Sequence, residues 1–309
     1  MQKLTYNLLA LLGPTASGKT RVGVELARAL GGEIISADSR QVFKGMDLGT
    51  GKDLAEYGEI PYHLIDIAEA GSEFSVFTFQ RAFLQAWQEI TSRGKLPILV
   101  GGTGLYLDAV LRNYQLREVS ENPELRRELA PLDNDRLAER LLALKPDQHN
   151  RTDLEERQRM IRAIEIATAE RTATQPTLAL PDLAARVFGL RWPRETLRRR
   201  ITARLKERLQ EGMIEEVATL HQNGVAWESL DYYGLEYRFI ASYLKGELNR
   251  NDMTQKLNSA IHQFAKRQET WFRRMEKHGI TISWVAGEQN PATGILQHLK
   301  AETTDHAPK

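Results

Sequence analysis

The residues Gly13-Pro14-Thr15-Ala16-Ser17-Gly18-Lys19-Thr20 fit the pattern G-x-x-x-x-G-K-[ST]. Each position has a chemical reason. Gly13 and Gly18 permit a tight loop whose backbone N–H groups converge on an anion at a helix N-terminus, where the helix dipole favours negative charge. Thr15, Ala16 and Ser17 complete the cradle. Lys19 adds a point charge, and the Thr20 hydroxyl suits a magnesium ion held among phosphate oxygens. The pattern specifies a di- or triphosphate and leaves the reaction open. Two acids follow short apolar runs: Asp38 after Ile34-Ile35-Ser36-Ala37, and Asp66 after Leu64-Ile65. A carboxylate at the end of a strand beside the loop would face the phosphates from the side of an acceptor. A helix cap or turn is the plainer account of Asp38-Ser39. Gly101-Gly102-Thr103-Gly104 also follows an apolar run and would bring the Thr103 hydroxyl to the same crevice. An ordinary strand-to-helix turn fits these residues equally well.

Cations cluster in three places. Between Arg191 and Arg208 eight basic residues face only two acids. Leu197, Ile201, Leu205 and Leu209 recur every four residues, and Arg200, Arg204 and Arg208 share that spacing on an adjacent helix face. Such a stripe is either a solvated face or a clamp on a pyrophosphate or an RNA backbone, because arginine forks match phosphate oxygens. Arg157, Arg159 and Arg162 form a second cluster. Lys266, Arg267, Arg273 and Arg274 form a third, interleaved with Phe264, Trp271 and Phe272. Aromatics among cations can stack on unpaired bases; Trp271 and Phe272 read rather as core. His63, His149 and His262 lack metal-ligand spacing.

These residues need a scaffold, and the patterning supplies one. Apolar runs at Asn7–Leu12, Glu33–Ala37, His63–Ile67, Pro97–Val100, Arg186–Leu190 and Thr281–Val285 predict strands. Between them, 3.6-residue periodicity predicts helices over Thr20–Leu30, Ser75–Arg93 and Gly104–Leu111. Alternation of this kind implies a parallel sheet covered on both faces. Polar, arginine-rich helices are expected at Glu124–Ala130, Asp135–Leu144 and Asp153–Glu170, then a linker at Thr172–Pro181. More helices are expected at Glu195–Glu211, Ile214–Gln222, Tyr237–Lys245 and Thr254–Lys277. The expected fold is thus α/β, a P-loop NTPase-like parallel sheet flanked by helices, with a helical insertion domain. Its boundaries are core 1–112, insertion 113–185, core 186–300 and a loose tail 301–309. The 309 residues include no cysteine, which excludes disulfides, thiolate metal sites and cysteine nucleophiles. The formal charge of +1 is uninformative as a total. No apolar run approaches the ~20 residues of a membrane span. Tyr6–Leu12 is too short for a signal peptide, so a cytoplasmic protein is expected.

Taken together, the motifs resemble those of the bacterial tRNA dimethylallyltransferase (tRNA isopentenyltransferase) family. The similarity runs through Gly13–Thr20, Ser36–Thr50 (S-A-D-S-R-Q-V-F-K-G-M-D-L-G-T), Tyr62–Asp66 and Leu99–Tyr106. It continues with Arg159-x-x-Arg162-Ala163-Ile164-Glu165 and Ala265–Arg273. Departures occur where the family often has G-T-A-K-P (here Gly49-Thr50-Gly51-Lys52-Asp53), a D-P segment (Glu69-Ala70-Gly71) and G-Y-[KR]-E (Gly234–Arg238). Leu154–Gln158 also replaces N-D-x-x-R, and His262 or Gln263 stands where an Arg precedes A-K-R-Q.

The resemblance implies transfer of a dimethylallyl group from dimethylallyl diphosphate to the exocyclic amine of the adenosine 3′ of the anticodon, with the insertion gripping the anticodon arm of tRNA. Gly13, Thr15, Ala16, Ser17, Gly18, Lys19, Thr20 and Arg204 would then hold the diphosphate, and Thr20 a magnesium ion. Asp38 would act as base or orienting acceptor, with Thr103 and Lys19 beside it. Asp38, Ser39, Arg40, Gln41, Thr103, Arg126, Gln158, Arg159, Arg162 and Arg238 would touch the tRNA. A monomer without membrane attachment is expected. Three other readings stay open on the residues alone: an ATP-dependent small-molecule kinase, a prenyltransferase acting on free adenine nucleotides, and a non-catalytic RNA-binding module.

Overall fold

The computed structural model describes residues 6–146, 157–172 and 177–305. His149, the expected helix start at Asp153, Leu154–Glu156, part of the expected linker and residues 306–309 lie outside them. The chain forms two units. One comprises Met1–Tyr114 with Leu180–Lys309; the other is Gln115–Ala179, where an insertion over 113–185 was expected.

The first unit is built on strands β1 (Leu8–Leu12), β2 (Gly32–Ala37), β3 (Tyr62–His63), β4 (Leu96–Gly101), β5 (Ala185–Arg191) and β6 (Ser283–Ala286). They form one six-stranded sheet in the order β3-β2-β4-β1-β5-β6, and every pairing is parallel. Strands covered on both faces read as continuous apolar runs rather than alternating ones; β1 and β2 are buried at every residue. Helix α1 (Lys19–Leu30) follows β1 and ends at Gly31, whose φ of 66° closes the last turn. Helix α2 (Val76–Ser92) is capped by Ser75 Oγ, which accepts from the Thr78 N–H. Helix α3 (Gly104–Leu111) follows β4. Leu9, Leu11, Ile34, Ile98 and Phe188 face one core with α1. Leu8, Leu12, Ile35, Leu99, Phe79 and Phe83 face the other, under α2 and α3.

The strand expected over His63–Ile67 is shorter. Leu64 and Asp66 have φ of 66° and 55°, so the chain leaves the sheet after His63.

The unit Gln115–Ala179 holds α4 (Pro123–Leu129), α5 (Asn134–Leu144) and α6 (Arg157–Thr172) around Leu125, Leu129, Leu137, Leu141, Met160 and Ile164. Asn122 and Asp133 cap α4 and α5.

Beyond β5 the first unit continues as α7 (Arg194–Gln210), α8 (Met213–Gln222), α9 (Trp227–Tyr232), α10 (Leu235–Leu244), α11 (Arg250–Lys277) and α12 (Pro291–Asp305). A helical core forms here around Leu197, Ile201, Val217, Tyr233, Tyr237 and Leu257. Periodicity missed α9 and α12. The tail expected to be loose from Ala301 is helical to Asp305. Among the described residues no helix is long and apolar enough to cross a membrane.

Candidate active site

The sheet register brings the chemistry-bearing loops together. Leu12 and Ala37 both pair with Gly101, so β1, β4 and β2 end in one row. The loop Gly13–Gly18 leaves β1, Gly101–Thr103 leaves β4 and Asp38 leaves β2. Adjacent strands lie ~4.8 Å apart, which sets three loops side by side at one sheet edge. Ligand crevices in open parallel sheets form at these carboxyl ends. Gly101 is required there, because a Cβ would collide with the Ala37 carbonyl.

The phosphate loop is aimed by what holds its carbonyls. Arg200 Nε donates to the Ala16 carbonyl at 2.8 Å, and Trp192 Nε1 donates to the Ser17 carbonyl at 3.0 Å. The Arg200 guanidinium also lies over the Trp192 ring, 4.3 Å from its centroid. Ala16 and Gly18 take φ of 59° and 81°. With the carbonyls engaged outward, the first turn of α1 carries no acidic residue and no side-chain cap. Its N–H groups are the helix-end donors that an anion satisfies. Ser17 Oγ is buried without a hydrogen-bond partner among the described residues. An orphaned hydroxyl inside such a loop fits a bound oxyanion.

Lys19 is largely buried, and this brings its pKa down to about 8. Asp38 and Asp53 oppose the shift, while Arg204 and Arg208 add to it. Among the described residues no group of three or more His, Asp or Glu could hold a metal. Thr20, directly after Lys19 at the start of α1, carries a hydroxyl, a hard oxygen donor. Its oxygen chemistry fits magnesium, a hard cation that keeps several waters and takes much of its shell from substrate phosphates.

Of the two candidate acids, Asp66 is committed elsewhere. It is ion-paired to the fully buried Lys52, which also donates to Asp47 at 2.6 Å and to the Phe43 carbonyl at 2.8 Å. Asp38 instead stands at the end of β2. Its Oδ1 accepts the Arg40 N–H at 2.9 Å. Thr103 fixes the neighbouring residue: its Oγ1 accepts the Ser39 N–H at 3.0 Å and reaches Ser39 Oγ at 3.4 Å. The Thr103 N–H also donates to the Ala37 carbonyl at 3.2 Å. Thr103 therefore ties the end of β4 to the Asp38 turn.

Gln268 of α11, unmarked as a site residue in the sequence, crosses the site. Its Oε1 accepts the Thr15 N–H at 2.8 Å and its Nε2 donates to the Gly102 carbonyl at 2.9 Å. One buried amide thus joins the phosphate loop to the β4 loop. Arg204 lines a small cavity with Thr15, Ala16, Arg208 and Glu236, and both arginines are ion-paired to Asp53. Burial pushes the Glu236 carboxyl up, as does Asp38, while Arg208 and Arg204 pull it down.

The residues expected at the tRNA divide. Arg40 lies over the exposed ring of Tyr232, 5.2 Å from its centroid. Gln41 is buried: it accepts from Ser36 Oγ at 2.9 Å and donates to the Gly51 carbonyl at 3.0 Å. Its side chain shapes the loop rather than meeting solvent. Arg238 is exposed and lies over Phe239. In the unit Gln115–Ala179, Gln158 and Arg159 are exposed. Arg126 and Arg162 both pair with the buried Glu165, at 2.8 and 3.0 Å. Arg157 donates to the carbonyls of Leu132 and Ala130 beyond α4, at 2.6 and 2.7 Å. Of the aromatics in the third cluster, Phe272 is core, whereas Phe264 is exposed beneath Arg267.

Fold and site together define a P-loop α/β protein in which the Gly13–Gly18 loop, Thr103 and Asp38 stand at the ends of three adjacent strands. Comparison with known proteins narrows this. The family described as IPP transferase matches residues 41–275, and that described as isopentenyl transferase matches residues 6–59. The chain is 66% identical to tRNA dimethylallyltransferase 2 of Syntrophotalea carbinolica, covering 95% of this chain and 99% of that protein. It is 62% identical to tRNA dimethylallyltransferase 1 of Geotalea uraniireducens, covering 96% and 98%. Among solved structures it is similar to the full-length tRNA isopentenylpyrophosphate transferase of Bacillus halodurans, with 31% identity, 97% of each chain and a TM-score of 0.71. The chain belongs to the IPP transferase family, and through it to the prenyltransferases.

Proposed function

We propose that this enzyme transfers the dimethylallyl group of dimethylallyl diphosphate to the exocyclic amine of the adenosine 3′ of the anticodon in tRNA. The observation that carries the reading is the row of strand ends setting Asp38 beside the phosphate loop, with Thr103 between them. The amine lone pair forms a bond to C1 of the dimethylallyl group as the C1–O bond breaks. The bonding pair leaves with the diphosphate, and the amine proton passes to Asp38. Lys19 and the N–H groups of the loop stabilise the charge that develops on the leaving group. A magnesium ion held by Thr20 would supply further neutralisation of that charge. Arg204 and Arg208 stand ready to add forked contacts to its oxygens. Arg40, Arg238, Gln158 and Arg159 are the exposed groups suited to the RNA, and the target base must leave its stack to reach the crevice.

A kinase would use the same phosphate loop. The family membership favours prenyl transfer, and the exposed cations outside the crevice suit a macromolecular acceptor. The test is a transfer assay with radiolabelled dimethylallyl diphosphate, magnesium and unmodified tRNA, beside AMP as an alternative acceptor. Label in tRNA alone supports the reading. Label in AMP selects the nucleotide prenyltransferase, and label in neither, with ATP bound, selects a kinase.

A further inference from the structure

Asp53 is placed oddly for a surface acid. It has a left-handed φ of 47°, a conformation that among side-chain-bearing residues Asp and Asn tolerate best. Its carboxylate does not cap the short helical turn Leu54–Glu56 that follows. It points instead to α7: one oxygen accepts from Arg208 Nη2 at 3.1 Å, and the other is ion-paired to Arg204. Arg208 is in turn fixed against Gly51, where a Cβ would collide with its guanidinium. Both arginines line a cavity together with Thr15 and Ala16 of the phosphate loop.

Three cations therefore surround the mouth of the loop: Lys19, Arg204 and Arg208. Partly buried guanidiniums without a counter-ion are costly, so something must neutralise them before a substrate arrives. Asp53 does so with hydrogen bonds only to the Nη2 atoms. Both bidentate edges of a guanidinium include Nη2, so Asp53 occupies a nitrogen that a phosphate fork would also use.

Resting on the reading of this crevice as a diphosphate site, we propose that Asp53 is an internal stand-in for the diphosphate. It holds Arg204 and Arg208 in place while the site is empty and competes with the diphosphate for them when it is full. The consequence is weaker retention of the product diphosphate than three converging cations would otherwise give. Release, which limits turnover in many enzymes, is thereby eased.

The test is calorimetric titration of the full chain with inorganic pyrophosphate and magnesium, comparing wild type, Asp53→Asn, Arg208→Gln and the double variant. Asparagine keeps the shape and the left-handed backbone but removes the charge. Asp53→Asn is expected to bind pyrophosphate ~10-fold more tightly, about 1.4 kcal/mol. Pyrophosphate should inhibit its transfer reaction correspondingly more strongly. The gain should shrink in the Arg208→Gln background, because coupled residues are not additive. Asp53→Gly, which suits the backbone without any side chain, should move the same way if the asparagine variant folds poorly. Unchanged or weaker pyrophosphate binding in either variant overturns the proposal and makes Asp53 a residue that orients the arginines. Failure of the wild type itself to bind pyrophosphate would instead overturn the reading of the crevice.

Discussion

Glu216 of α8 is the anchor of the loop that connects Asp38 to Asp53, and its replacement by glutamine tests whether that loop is held as the structure shows. The carboxylate accepts four hydrogen bonds: from the N–H groups of Asp47 (3.0 Å), Leu48 (2.7 Å) and Gly49 (3.1 Å), and from Tyr237 Oη (2.7 Å). One oxygen serves Asp47 and Leu48; the other serves Gly49 and Tyr237. Glutamine offers a single oxygen. If it faces Asp47 and Leu48, its NH₂ is turned on the Gly49 N–H, and two donors meet. The tyrosine can rotate to accept, but the backbone cannot. Hydrogen bonds to a charged group contribute roughly 1.5–3 kcal/mol each, and a donor left unpaired costs about 1–3 kcal/mol. Losing the pair on one oxygen, with partial relief by Tyr237, gives an expected destabilisation of about 2–4 kcal/mol. Urea unfolding measures the global part, and amide exchange at residues 47–49 measures any local release of the loop. An unchanged urea midpoint together with unchanged exchange at those three amides would refute the reasoning.

Three further outcomes are expected. Asp38→Asn should lower kcat by about 10²–10⁴-fold, the usual range for losing a general base, with little change in tRNA affinity; an equal loss of affinity would make Asp38 chiefly a binding residue. Arg159→Ala should weaken tRNA binding and reduce the salt slope of log K by about one, as for a single phosphate contact; a slope equal to that of wild type removes it from the interface. Glu33 is buried in β2 between Arg93 (2.7 Å) and His63 (2.8 Å), and the Arg93 hydrogen bond, helped by His63, holds its carboxyl below the ordinary 4.5 against burial. A depressed acid contributes stability that is present above its unfolded pKa and lost as pH falls through the folded one. Urea midpoints should therefore fall below about pH 4.5 in wild type, and part of that acid limb should vanish in Glu33→Gln; superimposable pH profiles would exclude the effect.

How far the sequence reaches can be judged residue by residue. The meeting of the Gly13–Gly18 loop, Asp38 and Thr103 at one sheet edge was legible because each comes at or just after the end of a buried apolar run, and a parallel sheet sends all such ends to one edge. The end of β3 was not legible, because Leu64-Ile65 is as apolar as a strand and nothing local announces the left-handed turns at Leu64 and Asp66. Helix α12 did carry a signal in Pro291 at its first position, where the missing N–H costs nothing. The resemblance sets Arg126 and Arg162 at the tRNA, although Glu165 lies three residues after Arg162, a spacing at which helix side chains meet. Gln268, Trp192 and Arg200 were beyond reach: their partners Thr15, Ser17 and Ala16 are 253, 175 and 184 residues away in sequence.

The arginine stripe of α7 shows what kind of information is missing in such cases. Spacing alone makes Arg200, Arg204 and Arg208 equivalent, one per turn on one face. The structure gives them two jobs, because the helix runs past features of different charge. Arg200 meets a backbone carbonyl of the phosphate loop, a fixed dipole that a guanidinium satisfies permanently. Arg204 and Arg208 meet Asp53, a full charge. The first contact holds the Gly13–Gly18 loop, and the others hold a carboxylate. That division depends on the partner at each turn, and the partners come from residues 16 and 53, which periodicity within α7 cannot reveal.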